Sequence, residues 1–280
     1  MAVISQPISL EFFPPRDIAA QERLIRSAKQ LAAVQPSYVS VTFGAGGSTR
    51  SGTEDTVRIM HRLGFPAAPH LSCVGATRET LGEILQSYRE LGIRRIVALR
   101  GDTPSGMGRH NGELNHAIDL VRFIREKTGD WFHIEVAAYP EMHPEADSAS
   151  RDLEHFVEKV KAGADAAITQ YFFNPDAYFD FVDRVRAQGL DIPIVPGIMP
   201  ITNQTQLLRF SQMCGADVPR WLRLRLAEYG EDKAAIRAFG IEVIVRMCKT
   251  LLAGGAPGLH FYTLNNADVT LEILKALQQD

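Results

Sequence analysis

Several apolar runs of the sequence contain or end on residues that can exchange protons. The clearest is Glu11, inside the run Ile8-Ser-Leu-Glu-Phe-Phe13. A carboxyl group in such a run is expected to be buried, and burial raises its pKa toward the range that suits a general acid at neutral pH. The alternative is a structural glutamate buried beside an arginine, and the run alone favours neither interpretation.

A second apolar run, Ile96-Val-Ala-Leu99, ends on Arg100-Gly101-Asp102. Gly-Asp followed by Thr-Pro is good turn chemistry, so a salt bridge beside a turn would explain these residues without any function. The alternative is a cation and an anion that point into one cavity. We favour this second interpretation, because the strand that precedes the charges is the clearest in the chain.

Three further motifs are less specific. The segment Gly44-Ala-Gly-Gly-Ser48 resembles a phosphate cradle but lacks both phosphate-loop spacings. The segment from Tyr139 to Asp147 contains His143 and acidic residues, but HExxH is absent and its prolines favour an ordered loop, so we predict no metal. Gln206 follows Asn203 by three residues and precedes Phe210 by four, which by itself predicts a helix cap and a core contact.

The elements that must position these residues follow one repeating pattern: a helix, a glycine and a short apolar run. Glycine ends a helix in the left-handed conformation without steric cost. The runs are continuously apolar, which is typical of strands buried on both faces of a parallel sheet. Eight such runs occur, at Ile8–Phe13, Tyr38–Phe43, Ala67–Cys73, Arg95–Arg100, His133–Tyr139, Ala166–Phe172, Ile192–Ile198 and Leu259–Leu264.

Eight strands that alternate with helices predict an α/β protein, a closed (β/α)8 TIM barrel that forms a single catalytic domain over residues 1–280. An open doubly wound sheet is the competitor, but it normally has fewer strands. The stretch from Pro200 to Gly254 is too long for one unit and predicts extra helices between the seventh and eighth strands, with a break at Pro219. Chemistry in such barrels lies at the C-terminal strand ends, where Arg100 and Asp102 fall.

The composition excludes several classes of protein. The chain has 280 residues, 45% hydrophobic and 22% charged, with a net charge of −3, so we expect no nucleic-acid partner. Its three cysteines lie far apart, which argues against disulfides and structural zinc. The N-terminus does not resemble a signal peptide, and no apolar run approaches the ~18 residues of a membrane span. We therefore expect no membrane association and a cytoplasmic location.

Taken together, the strand ends resemble the methylenetetrahydrofolate reductase family over nearly the whole chain. Any one of the matching motifs would be weak, but seven in order, each at a predicted strand, are specific. They are Glu11-Phe-Phe-Pro-Pro-Arg16, Ala68-Pro-His-Leu71, Ile96-Val-Ala-Leu-Arg-Gly-Asp102, Val136-Ala-Ala-Tyr-Pro-Glu141 with His143-Pro-Glu-Ala146, Ala167-Ile-Thr-Gln170, Pro196-Gly-Ile-Met-Pro200 and His260-Phe-Tyr-Thr-Leu-Asn265.

The resemblance implies a flavoprotein oxidoreductase of one-carbon metabolism that feeds methionine biosynthesis. FAD would be held in the barrel, reduced by NADH or NADPH, and would then pass the hydride to methylenetetrahydrofolate in a ping-pong cycle. By resemblance, Glu11 is the general acid, and Asp102 lies near flavin and pterin, where its charge would stabilise an iminium. Gln170 matches a glutamine that binds folate and nicotinamide, Gln206 a folate contact, and Phe210 an aromatic residue that packs on both substrates.

The resemblance also implies a set of FAD contacts: Thr42, Phe43, Ala45, His70, Arg100, Gly101, Asp102, Ala117, Tyr139, His143, Ala146, Asp152, His155 and Lys159. Some positions depart from the pattern of relatives. Phe43 stands where relatives often have Tyr, His155 where one has Asn, and Glu158 where one has a basic residue. Asn266 stands where Arg follows the Leu-Asn pair. The first three put flavin affinity in question, and the last puts one folate contact in question.

Two other functions stay open at this stage. One is a metal-dependent barrel lyase or aldolase that uses Glu11, Asp102 and His143. The other is a non-catalytic subunit that binds folate or flavin for a redox partner. Because the sequence stops right after the eighth unit, we expect it to lack the regulatory domain of longer family members. We also expect a homo-oligomer, because barrels of this kind often associate.

Overall fold

A ring of parallel strands forms the centre of the protein. The computed structural model describes residues 5–43, 50–101 and 112–279. In this part of the chain every strand pairing is parallel. The strands are β1 (Ile8–Phe12), β2 (Tyr38–Val41), β3 (Ala67–Ser72), β4 (Arg95–Leu99), β5 (His133–Ala138), β6 (Ala166–Thr169), β7 (Ile194–Val195), β8 (Gly197–Ile198) and β9 (Leu259–Tyr262).

The ring closes through a segment predicted as one strand, Ile192–Ile198. The structure divides it into β7 and β8 on either side of Pro196, so the prediction of a single seventh strand is wrong. Proline has no N–H to donate to a sheet. β7 pairs with β6 and β8 pairs with β9, so the two ends of the strand order are consecutive in the chain and complete the barrel. Gly197 allows this, because a Cβ there would collide with the Thr169 carbonyl and the Tyr262 ring.

Helices follow the strands as predicted. The described residues form α1 (Ile18–Leu31), a short 3-10 helix (Ala32–Val34), α2 (Arg50–Arg62), α3 (Arg78–Glu90), α4 (Ala117–Thr128), α5 (Ala149–Lys161), α6 (Pro175–Arg186), α7 (Gln204–Cys214), α8 (Arg220–Glu228), α9 (Lys233–Ala253) and α10 (Ala267–Leu277). α7, α8 and α9 are the predicted extra helices, and Pro219 immediately precedes α8. Among the described residues, none of these helices combines the length and apolar character that a membrane crossing requires.

Alternation along the strands separates an outer apolar layer from a polar barrel interior. In β1, Leu10 and Phe12 are fully buried in the main apolar cluster with the helices. The side chains that alternate with them, Ser9 and Glu11, instead contact His260 of β9. Because successive side chains of a strand point to opposite faces, the polar members of this run all lie on the inner face.

Arg125 of α4 stabilises the outer layer through hydrogen bonds and an ion pair. Its guanidinium donates to the backbone carbonyls of Gly163 at 2.7 and 2.9 Å and of Phe132 at 2.8 Å. It also pairs with the Asp165 carboxylate at 2.6 Å, with only 18% of the arginine side chain exposed. This clamp joins α4 to the segments that lead into β5 and β6.

Candidate active site

The predicted acid, Glu11, lies inside the barrel between two histidines. Its Oε2 is 3.4 Å from Nε2 of His70 on β3 and 3.5 Å from Nε2 of His260 on β9. The His260 contact is a long hydrogen bond. The His70 contact is an electrostatic one only, because Nε2 of His70 has no well-formed hydrogen bond within the described residues. Among the described residues, Glu11 is not paired with an arginine, which was the alternative interpretation of the sequence. The groups beside its carboxylate are imidazoles.

Ser9 extends this cluster. Its hydroxyl lies 2.8 Å from Nδ1 of His260, so one serine, one imidazole and one carboxyl group form a chain. Sequence reasoning did not single out Ser9 or His260. The available signal was Ser9 and Glu11 two residues apart in an otherwise apolar strand, which places both on one face. Nothing local connects them to His260, which lies 251 residues from Ser9.

The pKa of Glu11 corrects the sequence-based expectation. Burial does raise it, but contacts with His260 and His70 outweigh burial and lower the pKa from 4.5 to about 2. A carboxyl group with this pKa is ionised at neutral pH, so the Glu11 side chain by itself does not hold a proton that it could donate. Any proton that Glu11 is to deliver would therefore be shared with His70 and His260, which together with Glu11 we call the acid cluster.

Unsatisfied buried polar atoms surround Glu11. The hydroxyls of Ser40 and Thr42 and Nε2 of His70 have no hydrogen-bond partner in the described part of the chain. Ser40 is the direct strand neighbour of Glu11 in the β1–β2 register. Buried polar atoms in native proteins almost always have partners, so this group indicates a place where a polar ligand binds.

The end of β4 carries two of the predicted residues. Arg100 pairs with Glu145 at 2.7 Å. Gly101 adopts φ +87°, and a Cβ there would meet the Ser72 hydroxyl, so only glycine fits. Asp102, the predicted anion, and Ala45, a predicted FAD contact, lie outside the described residues.

Predicted flavin contacts gather at the C-terminal end of β5. The rings of Tyr139 and His143 meet edge to face at 4.5 Å. The Asp152 carboxylate accepts from the backbone N–H of His143 at 2.8 Å. Lys159 donates to the Ala137 carbonyl at 2.7 Å, and burial lowers its pKa to about 8, although Asp152 partly opposes the shift. A lysine held in this way can gain from a bound anion.

The other predicted flavin contacts are more dispersed. Phe43, Ala117 and Ala146 are partly buried, and Ala117 is the first residue of α4. The backbone N–H of Ala146 donates to the carbonyl of His143 at 2.9 Å. His155 is exposed on α5.

The predicted substrate residues lie on β6 and α7. Gln170 follows β6, and its Oε1 accepts from the Tyr171 N–H at 3.0 Å, which leaves the side-chain NH2 available as a donor. Asn203 caps α7 by accepting from the Gln206 N–H at 2.8 Å, as the spacing predicts. The Gln206 side chain is exposed, whereas Phe210 is partly buried against the core.

A cavity of about 460 Å³ lies at the other end of the barrel from Glu11. It is lined by residues that begin strands β2 to β5, including Tyr38, Arg95 and His133, so it opens at the N-terminal end of the barrel. The chemistry of this fold takes place at the opposite end, so we place the candidate active site at Glu11 rather than in this cavity. Within residues 5–43, 50–101 and 112–279, no group of three or more His, Cys, Asp or Glu side chains is arranged so that it could hold a metal ion.

The fold and this site define a class of protein: a parallel barrel enzyme with an acid cluster at its C-terminal mouth. Comparison with known proteins is more specific. The model of the methylenetetrahydrofolate reductase family matches residues 3–278. The 5,10-methylenetetrahydrofolate reductase of Pectobacterium carotovorum is 44% identical over 96% of this chain and 89% of its own length. That of Escherichia coli is 41% identical over 96% of this chain and 90% of its own length. The chain belongs to the methylenetetrahydrofolate reductase family.

A longer relative and a solved structure extend the comparison. Methylenetetrahydrofolate reductase (NADH) 1 of Arabidopsis thaliana is 39% identical over 96% of this chain, which covers 48% of the plant protein. A Clostridium thermocellum protein that binds two copies of 5-methyl-5,6,7,8-tetrahydrofolic acid has a TM-score of 0.69 at 17% identity, with coverage of 99% and 94% of the two chains. That likeness shows the barrel fold.

Proposed function

We propose that this chain reduces 5,10-methylenetetrahydrofolate to 5-methyltetrahydrofolate, with FAD as the bound carrier and NADH or NADPH as the reductant. Family membership supports the reaction. The structural observation that carries the proposal is the Glu11 carboxyl group, held within 3.5 Å of two imidazoles at the barrel mouth. Such a cluster can supply a proton to a substrate nitrogen.

The residues present fit a flavin dinucleotide. Thr42 and His70 offer buried polar atoms without partners in the described residues, which suit the polar edge of a flavin ring. Lys159 and the backbone at Gly101 offer a cation and a close backbone approach, which suit a pyrophosphate. His143 and Tyr139 add a ring pair at the same strand end. When bound, FAD would supply a two-electron carrier that takes a hydride from the nicotinamide and returns it to the folate.

The acid cluster would act on the five-membered ring of the substrate. The proton shared by Glu11 and His260 passes to a bridging nitrogen, whose bond to the methylene carbon then breaks. The electron pair of that bond stays on the nitrogen, and the methylene carbon becomes part of an iminium that accepts a hydride. Glu11 is left as a carboxylate, the state that its lowered pKa favours, so the cluster is regenerated by one proton from solvent.

The remaining residues would bind and orient. We propose that Gln170 donates its free side-chain NH2 to the folate or the nicotinamide, since its Oε1 already accepts a backbone N–H. Phe210 would pack on each substrate in turn, and Gln206 is exposed on the same helix, where it can reach the folate. Asp102 stays a prediction as the anion that stabilises the iminium.

Two measurements test the proposal. The protein as purified should be yellow with a bound-flavin spectrum, and with NADH or NADPH it should convert methylenetetrahydrofolate to methyltetrahydrofolate, measured by chromatography. Stoichiometric metal with no flavin would indicate a lyase or aldolase instead. Bound flavin or folate without turnover would indicate a binding subunit.

The assembly and extent of the enzyme are separate proposals. We propose that residues 1–280 work as one catalytic barrel, that copies form a homo-oligomer and that the enzyme acts in the cytoplasm. Analytical ultracentrifugation tests the assembly, because a monomer at micromolar concentration contradicts it.

A further inference from the structure

The cavity at the N-terminal end of the barrel has no part in the proposed reaction. Its volume of about 460 Å³ lies within the range of pockets that bind small organic molecules, roughly 300–1,000 Å³. Its walls come from the first residues of strands β2 to β5 and from the loops that precede them. Because the C-terminal strand ends lie at the opposite end of the barrel, a ligand in this cavity would occupy a site separate from Glu11.

Arg94, which immediately precedes β4, gives the cavity an uncompensated positive charge. The central carbon of its guanidinium lies 3.4 Å from the centroid of the Trp131 ring, so the two planes must be roughly parallel. Within the described part of the chain, the Arg94 side chain has neither an ion pair nor a hydrogen bond. Its N–H groups point outward in the plane of the guanidinium, where they can pair with both oxygens of a carboxylate or a phosphate.

Arg95, the first residue of β4, adds a second guanidinium with unused donors. One of its terminal nitrogens pairs with Glu135, and the guanidinium lies over the Tyr38 ring at 4.4 Å. The Tyr38 hydroxyl donates to the other oxygen of Glu135 at 2.7 Å, which fixes this carboxylate. The remaining N–H groups of Arg95 have no hydrogen bond among the described residues, and 32% of the side chain is exposed. Arg95 lines the cavity, so these donors are available to a ligand.

His133, the first residue of β5, contributes a nitrogen without a partner. The side chain lines the cavity, and its Nε2 has no hydrogen bond within residues 5–43, 50–101 and 112–279. The Glu135 carboxylate is 3.9 Å from Nε2, which is too long for a hydrogen bond. Buried polar atoms in native proteins almost always have partners, so His133 is an indication, besides the two arginines, that a polar ligand binds here.

The rest of the lining is largely apolar. Phe65, Ala67 and Ile93 belong to the buried apolar residues, and the Tyr38 ring adds an aromatic surface. No aspartate or glutamate of the described residues lines the cavity, so the nearby positive charge disfavours a cation. An anion with a small apolar body matches this combination, because guanidinium groups bind its charged end and apolar walls bind its body.

We propose that this cavity is a second binding site, for a small organic anion whose carboxylate or phosphate group is held by Arg94 and Arg95. Arg94 supplies the net positive charge, since the charge of Arg95 is offset by Glu135. The apolar body of the ligand lies against Phe65 and Ile93. This site does not depend on the proposed reaction, because none of these residues takes part in it.

Trp131 provides a spectroscopic reporter beside the cavity. Its indole N–H donates to the carbonyl of Ile93, a lining residue, at 2.9 Å, and Arg94 lies over its ring. The other tryptophan of the chain, Trp221, is 52% exposed on α8 and does not line the cavity. Two-dimensional 1H–15N spectra of the full chain therefore contain two indole signals, which Trp221→Phe assigns: one reports on the cavity, and the other is an internal control.

The probes are benzoate and phenyl phosphate, with benzyl alcohol as the uncharged control. We expect the Trp131 signal to shift saturably with the tighter of the two anions, with a dissociation constant of about 1 mM, which is ordinary for ligands of this size. The Trp221 signal should stay in place, and benzyl alcohol should bind at least about tenfold more weakly. The tighter anion shows whether the site prefers a carboxylate or a phosphate. Absence of saturation with both anions at about 20 mM, or equal binding of the alcohol, overturns the proposal.

Arg94→Met and Arg89→Met form a matched pair of variants. Arg89 on α3 also lies over the Trp131 ring, at 4.9 Å, but it does not line the cavity. Arg94 is exposed, so its truncation leaves the core intact. Arg94→Met should weaken binding of the anion about tenfold, because it removes a charge-assisted contact, whereas Arg89→Met should leave the affinity unchanged. Equal affinities in the two variants overturn the proposal.

A third variant excludes binding at the opposite end of the barrel. Lys159→Met removes a cation from the region of the predicted flavin contacts and should leave the affinity for the anion unchanged. Weaker binding by Lys159→Met would place the probe near Lys159 instead of Arg94, and this result would also overturn the proposal.

Discussion

Replacement of Glu11 by glutamine is the sharpest test of the acid cluster. The substitution keeps the size of the side chain and removes both its charge and its ability to carry a transferable proton. Because Oε2 of Glu11 lies within 3.5 Å of both His70 and His260, the variant separates the proton from the shape of the site. We expect loss of folate reduction with retention of flavin reduction by the nicotinamide.

The magnitude follows from the pKa of the group. With a pKa of about 2, the Glu11 carboxyl group itself would be protonated in only about one molecule in 10⁵ at pH 7. The proton must therefore reside on the pair that Glu11 forms with an imidazole, and glutamine cannot receive or pass it. General acid catalysis is typically worth 10²–10⁴-fold, so we expect folate reduction to slow by about 10³-fold.

The two half-reactions are measured separately by stopped-flow absorbance of the flavin, first its bleaching by NADH or NADPH and then its reoxidation by methylenetetrahydrofolate. Glu272→Gln is the matched control. Glu272 lies on α10 and pairs with Arg237 on the outer surface, so both of its half-reaction rates should stay unchanged.

Equal slowing of both half-reactions in Glu11→Gln would refute the acid role and indicate general damage to the flavin site. Folate reduction within about threefold of the unmodified rate would refute it as well, because a general acid contributes far more.

Three further perturbations test other parts of the structure. Lys159→Met should weaken FAD binding about tenfold, since it removes a charge-assisted hydrogen bond, whereas Lys161→Met at the exposed end of the same helix should leave it unchanged. Fluorescence titration of the flavin-free protein measures both affinities. Equal affinities of the two variants would contradict the role of Lys159 in binding the FAD pyrophosphate. Arg125→Met should lower the free energy of unfolding by about 3 kcal/mol in urea titrations, because it removes the ion pair with Asp165 and the hydrogen bonds to the Gly163 and Phe132 carbonyls. Arg151→Met, which removes the exposed pair with Glu154, should change it little, and similar losses in the two variants would contradict the role of Arg125. The folded-state pKa of Glu11 is lower than its ordinary value of 4.5, so the ionised carboxylate stabilises the fold above pH 4.5 and this contribution is lost as pH falls toward 2. Between pH 5 and pH 3, the free energy of unfolding should fall by about 2 kcal/mol more in the unmodified protein than in Glu11→Gln. Parallel pH profiles of the two proteins would contradict the lowered pKa.

Local sequence patterns were sufficient for the order of elements. The apolar run around Glu11 and the helix cap at Asn203 each involve only a few neighbouring residues. Residue spacing alone therefore predicts a strand at the first and a helix start at the second. The seventh strand is the exception. Pro196 could end a strand or connect two short ones. Which of these occurs depends on β6 and β9, because these strands lie on either side of Pro196 only in the closed ring.

The sequence by itself predicted candidate residues for the chemistry and determined that they fall near strand ends, because periodicity and side-chain type are local properties. Tertiary structure decided how they act. The expected rise in the pKa of Glu11 became a fall, since burial is opposed by His260, which lies 249 residues away along the chain. The connection from Tyr38 to Glu135 likewise spans 97 residues. Contacts between distant strands exist only after the barrel closes, and they set the charge of the Glu11 carboxyl group.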